Sequence, residues 1–134
     1  MCLAIYVASD RPLREIAFEK AQPALHAAAP AKFADAKIRK WLTGRNLLEI
    51  RSDEGCACKF IDDDPDPASH QAAQTALADL TEYLHDAGGG LELLACWLGD
   101  EKKEPRSLSL RIADIPTAPL HQSWDQPLLI RLDP

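Results

Sequence analysis

The residues of this sequence with the clearest capacity for chemistry are its four cysteines: Cys2, Cys56, Cys58 and Cys96. A thiolate can act as a nucleophile, as a redox group or as a ligand for a soft metal ion. In an extended strand, residues two apart have Cα atoms about 6.7 Å apart, whereas a disulfide needs Cβ atoms about 3.8 Å apart. An extended Cys56-Ala57-Cys58 segment therefore cannot close into a disulfide. Two sulfur atoms on one tetrahedral zinc ion lie only about 3.8 Å apart, which a tightened backbone after Gly55 could supply.

The first hypothesis is a metal or cluster site in which all four thiolates converge. Such a site would suit zinc, copper(I) or an iron–sulfur cluster, because each of these takes sulfur ligands. In a second hypothesis, Cys56 and Cys58 act as a thiol redox or sensor pair, with the charge of Lys59 favouring the thiolate and the charges of Asp53 and Glu54 opposing it. A further alternative is that the cysteines are inert, since free cysteine packs as a small hydrophobe.

A third hypothesis is a non-catalytic binding or assembly domain. The sequence has no G-x-S-x-G motif, P-loop or dinucleotide-type glycine motif, and so it gives no support to hydrolase, kinase or dehydrogenase activity. Trp97 alternates with Leu93 and Ala95 and is predicted to lie in the core. Trp124 follows a proline-bounded connection and is the better candidate for contact with a partner protein, or with a second copy in a homodimer.

The elements that must position the cysteines are mainly strands. Residues 1–9 and 91–98 are apolar at nearly every position, which predicts two central strands buried on both faces. If these strands are antiparallel neighbours, Cys2 and Cys96 share one end of the sheet. Residues 46–51 alternate in polarity, which predicts a strand with one solvent-exposed face. The polar turn at residues 52–55 then predicts a hairpin into a strand over residues 56–61.

The remaining elements complete an α+β pattern. Residues 31–42 carry an apolar helical face and end at Gly44, and a longer helix begins at Pro67 after an Asp66 cap and ends before Gly88. Residues 24–29 fit a short strand as well as a helix, and residues 108–112 and 128–132 predict further strands. The sequence therefore predicts one α+β domain over residues 1–134, with a mixed or antiparallel sheet and two main helices packed on one face.

Composition narrows the class of partner and the compartment. The chain has 134 residues and a formal net charge of −6, which argues against a general nucleic-acid or anionic-membrane surface. No apolar run approaches the roughly 20 residues of a membrane span, and the start of the chain lacks the basic region and cleavage site of a signal peptide. We therefore expect a cytoplasmic protein with reduced thiols.

Three short segments carry a resemblance to a known family: residues 1–6 (Met-Cys-Leu-Ala-Ile-Tyr), 55–60 (Gly-Cys-Ala-Cys-Lys-Phe) and 95–101 (Ala-Cys-Trp-Leu-Gly-Asp-Glu). The sequence resembles a family of small uncharacterised bacterial proteins that start with a similar Met-Cys-Leu-Ala and carry Gly-Cys-x-Cys and Ala-Cys-Trp segments. The resemblance implies a bacterial cytoplasmic protein and supplies no activity. Lys59 departs from the glycine that the family pattern leads us to expect.

Overall fold

One mixed sheet organises the chain. The structure is a computed structural model, which describes residues 2–19, 25–52, 57–118, 120 and 125–134. Its strands and α-helices are β1 (Leu3–Ser9), β2 (His26–Ala28), α1 (Lys32–Ile38), β3 (Asn46–Arg51), α2 (Pro67–Ala87), β4 (Leu91–Trp97), β5 (Arg106–Arg111) and β6 (Leu128–Asp133). Within those described ranges, six strands form one sheet in the order β2-β3-β1-β4-β6-β5.

Strand β1 lies at the centre of the sheet. It is antiparallel to β3 and to β4, so that Ile5 faces Ile50 on one side and Ala95 on the other. All of its residues are buried, which explains why both of its alternating sets are apolar. The predicted central strands at residues 1–9 and 91–98 are therefore confirmed. Because β5 and β6 are parallel and the other strand pairs are antiparallel, the sheet is mixed, and the predicted α+β class is confirmed.

The two helices cover opposite faces of the sheet. Helix α2 packs onto the face that carries Leu3, Ile5 and Val7. Helix α1 packs through Ala34 and Ile38 onto the face that carries Ala4, Tyr6 and Ala8. The expected packing of both main helices on one face is thus corrected. The physical reason is the apolar character of both faces of β1 and β4, since each face needs its own cover to be shielded from water.

The segment that follows β3 differs from the predicted hairpin. Its described residues contain a short 3₁₀ helix, Cys58–Phe60, instead of a strand. The turn closes on itself, because Phe60 donates its N–H to the carbonyl of Ala57 and Ile61 donates to that of Cys58. This tight turn places Phe60, which is 2% exposed, in the core against α2. Cys56, the predicted start of the hairpin strand, lies outside the described residues, as does Trp124, the predicted contact for a partner protein.

Strand β3 has the predicted bounds but lacks the predicted solvent-exposed face. Leu47, Leu48 and Ile50 are buried, and so is Glu49. The Glu49 carboxylate accepts two bonds from the Arg51 guanidinium, of 2.8 and 3.0 Å. Pairing of this kind allows a carboxylate to be buried. In this strand, a polar residue at an alternating position therefore does not indicate a solvent-exposed face.

The start and end of α2 confirm the prediction. The side chain of Asp66 accepts the N–H of Ser69, and Pro67 is the first helical residue. The helix ends at Ala87, and the φ of 89° at Gly88, which follows it, is a backbone conformation that favours glycine.

Residues 24–29 fitted a short strand as well as a helix, and their described residues contain the strand β2. No helix in the described part of the chain combines the length and the apolar character that crossing a membrane requires.

Candidate functional site

The end of the sheet at which β1 begins brings Cys2 and Cys58 close together. Leu3 donates its N–H to Sγ of Cys58 over 3.3 Å, and its carbonyl accepts the N–H of Ala57 over 3.0 Å. A trans peptide holds the N–H on the same side as the preceding Cα, which places the Cys58 sulfur about 4–5 Å from Cα of Cys2. Both cysteines are half-buried and carry free thiols.

Two further contacts, made by the residues that follow Cys58, hold its sulfur beside Leu3. Phe60 anchors the 3₁₀ helix in the core on the α2 side of the sheet. The N–H of Lys59 donates to Oγ of Ser52 over 3.1 Å, which ties the helix to the end of β3. The side chain of Lys59 is exposed. The sulfur of Cys58 is thus held by backbone and core contacts, while a cation lies at the next residue of the chain.

Cys96 lies in a different environment. It faces Ala4 across the β1–β4 pair and belongs to the core under α1, whereas Cys58 packs against the core under α2. Burial, followed by the nearby charges of Glu101 and Asp100, raises the pKa of the Cys96 thiol far above its usual range. Cys96 therefore remains a neutral thiol, which is a poor nucleophile.

A buried carboxylate closes the α1 side of the sheet. Glu101 is 0% exposed, and it accepts bonds from the Tyr6 hydroxyl over 3.1 Å and from the Gly99 N–H over 2.9 Å. Its backbone carbonyl accepts Nε1–H of Trp41 over 2.9 Å. Burial and the charge of Glu101 raise the pKa of Tyr6, so that its hydroxyl stays protonated and donates a hydrogen bond to Glu101. With its oxygens partnered in this way, Glu101 holds the loop after β4 against α1.

The predicted metal ligands do not all meet in the described residues. Within those residues, no group of three or more His, Cys, Asp or Glu side chains is placed to hold a metal ion. Cys58 lies beside the backbone that joins Cys2 to Leu3 at the start of β1, Cys96 is buried on the opposite face from Cys58, and Cys56 lies outside the described residues. Sequence reasoning missed two further participants, the backbone N–H of Leu3 and the hydroxyl of Ser52. No sequence signal marks them, because each contact depends on tertiary placement.

A cleft of about 250 Å³ opens beside the 3₁₀ helix that carries Cys58. Its lining includes Lys59, Phe60, Ser52 and, on α2, Asp79. The cleft thus offers one cation and one carboxylate over an apolar floor. A space of this size can accommodate a small polar molecule or part of a peptide.

A second polar cluster lies at the start of α2. The carboxylate of Asp62 contacts Nδ1 of His70 over distances of 2.8 and 3.0 Å and accepts a bond of 2.8 Å from the Gln74 amide. The bond from Gln74, and after it the bond from His70, hold the pKa of Asp62 below its usual range. A depressed carboxylate pKa contributes stability above the unfolded-state pKa and loses it as the pH falls through the folded-state pKa.

Replacing Gln74 with alanine is therefore expected to raise the pKa of Asp62. The variant should be less stable than the unmodified protein at pH 7, and this difference should shrink as the pH falls through the folded-state pKa of Asp62, because the carboxylate is then protonated in both states. NMR titration of the Asp62 side-chain carbon measures the pKa, and urea denaturation at pH 7 and below that measured pKa measures the stability. Gln71→Ala is the matched control, because Gln71 is an exposed residue of the same helix. An unchanged Asp62 pKa in Gln74→Ala would contradict the expectation.

Comparisons with known proteins do not add a functional assignment. The chain matched no protein-family model, no curated protein and no solved structure. The resemblance to small bacterial proteins stays a prediction. The arrangement of the described residues therefore carries the functional argument.

Proposed function

We propose that this protein is a redox-active thiol protein in which Cys58 is the reactive residue. The observation that carries the proposal is the hydrogen bond from the Leu3 N–H to the Cys58 sulfur. A backbone donor aimed at a sulfur stabilises negative charge on it, and the thiolate is the reactive form of cysteine.

Access to the sulfur and a neighbouring cation support the same proposal. Cys58 is half-buried, whereas Cys96 is buried. The exposed Lys59 follows Cys58 directly and supplies one positive charge next to it in the chain. Partial exposure and a neighbouring cation are both typical of reactive cysteines, although Asp53, Glu54 and Asp79 offset the charge of Lys59.

The reaction is thiol–disulfide exchange with a low-molecular-weight disulfide. The Cys58 thiolate attacks one sulfur atom of that disulfide, a new sulfur–sulfur bond forms to Cys58, and the original bond breaks. The departing group leaves as a thiolate and takes up the proton that Cys58 has lost. The product is a mixed disulfide on Cys58.

The test is reaction with oxidised glutathione in the Cys2→Ser/Cys56→Ser double variant, which retains only Cys58 and Cys96. We expect one glutathione adduct, located on Cys58 by peptide mass spectrometry, forming about tenfold or more faster than any adduct on Cys96. The control adds Cys58→Ser to the double variant and should form no adduct while folded. Equal rates at Cys58 and Cys96, or no adduct at all, would overturn the proposal.

As a second candidate function, the same thiols bind a soft metal ion. The bond between Ala57 N–H and the Leu3 carbonyl supports this candidate, because it places a residue between Cys56 and Cys58 against the residue next to Cys2. We therefore propose that Cys2 and Cys58 contribute ligands to zinc or copper(I) together with Cys56, which lies outside the described residues, and that an iron–sulfur cluster needs Cys96 as a fourth ligand.

Metal analysis after anaerobic purification tests this second candidate. One equivalent of metal that is lost in Cys58→Ser and kept in Cys96→Ser supports a three-thiolate site. Loss in both variants supports the four-thiolate site. Freely titrating thiols with no bound metal would eliminate both metal sites.

A further inference from the structure

We propose that Cys2 is the resolving partner of Cys58, so that oxidation links these two residues in an intramolecular disulfide. This inference rests on the proposed redox function and identifies the second cysteine of that reaction. The sequence predicted Cys56 as the partner of Cys58, because the two cysteines lie two positions apart. The structure instead places the Cys58 sulfur beside the start of β1, next to Cys2.

The distance between the two residues suits a disulfide. The backbone nitrogen of Leu3 lies 3.3 Å from the Cys58 sulfur. This nitrogen is two covalent bonds from Cα of Cys2. The resulting separation of about 4–5 Å between that sulfur and Cα of Cys2 leaves room for one Cβ and one sulfur–sulfur bond, as in a normal disulfide. Reorienting the Cys2 side chain is a smaller change than unwinding the 3₁₀ helix.

The surrounding contacts hold both partners in place. The carbonyl of Cys2 accepts the N–H of Leu98 over 2.8 Å, which ties the Cys2 backbone to the end of β4. The Ala57 bond to Leu3 and the buried Phe60 hold Cys58 on the other side of β1. The Cys2 backbone and the Cys58 sulfur are therefore held close together before oxidation, so that only the Cys2 side chain has to turn, and this lowers the entropic cost of forming the bond.

Cys96 does not compete for Cys58. The two residues pack against cores on opposite faces of the sheet, and Cys96 is 0% exposed. The carboxylate of Glu101 adds negative charge near Cys96, which disfavours its thiolate. A disulfide from Cys58 to Cys96 would require the sheet itself to open.

The second step of the reaction follows from the mixed disulfide on Cys58. The Cys2 thiolate attacks the Cys58 sulfur, forms the Cys2–Cys58 bond and expels the remaining small thiolate, which takes up the proton from Cys2. Over both steps, the two protein thiols lose two electrons and two protons. One low-molecular-weight disulfide is reduced to two thiols.

The test follows single variants in a buffer of oxidised and reduced glutathione, with peptide mapping under non-reducing conditions. We expect a Cys2–Cys58 linked peptide in the unmodified protein and in both Cys56→Ser and Cys96→Ser. In Cys2→Ser, the glutathione adduct on Cys58 should persist about tenfold longer or more, because no neighbouring thiol displaces it. Circular dichroism checks that each variant is folded.

The outcomes separate this inference from the proposed function. A Cys56–Cys58 linkage, or an adduct on Cys58 that resolves as fast in Cys2→Ser as in the unmodified protein, overturns the role of Cys2 and leaves Cys58 as the reactive thiol. No adduct on Cys58 in any variant overturns both. A stability measurement gives a second readout, since the linked form should need a higher urea concentration to unfold than the reduced form.

Discussion

Replacing Phe60 with alanine is expected to lower the free energy of unfolding by about 3–5 kcal/mol. Phe60 is among the largest fully buried side chains, and it anchors the 3₁₀ helix to the core under α2. The substitution removes buried apolar area and leaves a cavity that the neighbouring turn can fill only in part. Urea denaturation monitored by circular dichroism measures the loss.

The same variant should also loosen the site. Because Phe60 lies two residues after Cys58, its removal should speed hydrogen exchange at the amides of Leu3 and Ala57, which bond across that contact. Phe33→Ala is the matched control, since Phe33 is 60% exposed on α1, and it should change stability by no more than about 0.5 kcal/mol. Similar losses in the two variants would show that the 3₁₀ helix is not anchored as described.

Replacing Tyr6 with alanine should cost a similar amount, about 3–5 kcal/mol. Tyr6 is 0% exposed at the centre of β1, and its ring fills the core under α1. Tyr6→Phe keeps most of that volume but removes the hydroxyl that donates to Glu101. A buried carboxylate that loses a donor is costly, so this milder change should still destabilise the protein by about 1–3 kcal/mol.

Tyr83→Phe provides the control for the hydroxyl. Tyr83 is also buried, and its hydroxyl donates to the uncharged carbonyl of Arg14 over 2.7 Å. Losing a bond to a neutral acceptor should cost about 0.5–1.5 kcal/mol, less than the loss in Tyr6→Phe. A Tyr6→Phe variant that is as stable as Tyr83→Phe, measured in the same denaturation series, would show that the Glu101 carboxylate finds another donor.

Much of the fold follows from the sequence because its strongest patterns are local. Continuous apolar runs identified β1 and β4 as central strands, and the Asp66 cap with Pro67 located the start of α2. The prediction that both helices pack on one face was wrong, because both alternating sets of β1 are apolar and each face of the sheet has its own helix. The 3₁₀ helix at Cys58 could not be predicted from the sequence, because a short segment of alternating polarity fits a strand equally well. Only the tertiary packing that buries Phe60 decides between the two.

The candidate site was only partly predictable. The cysteines stand out by type, and the shared end of Cys2 and Cys96 followed from two antiparallel central strands. The meeting of Cys2 with Cys58 depends on a hydrogen bond between residues 55 positions apart, for which a single sequence carries no signal. The opposite faces of Cys58 and Cys96 depend likewise on the segment after β3, for which the sequence predicted a hairpin strand and the structure has a 3₁₀ helix.

The central position of β1 has a consequence during synthesis of the chain. Ile5 pairs with Ala95, 90 residues later. At about 5–20 residues per second, a ribosome needs roughly 5–20 s to make the intervening chain. During that interval the apolar strand has no β4 to pair with, so that one of its edges stays unpaired. The nascent chain is therefore exposed to aggregation through β1 until β4 has been made, and a chaperone that holds β1 during that time should raise the yield of native protein.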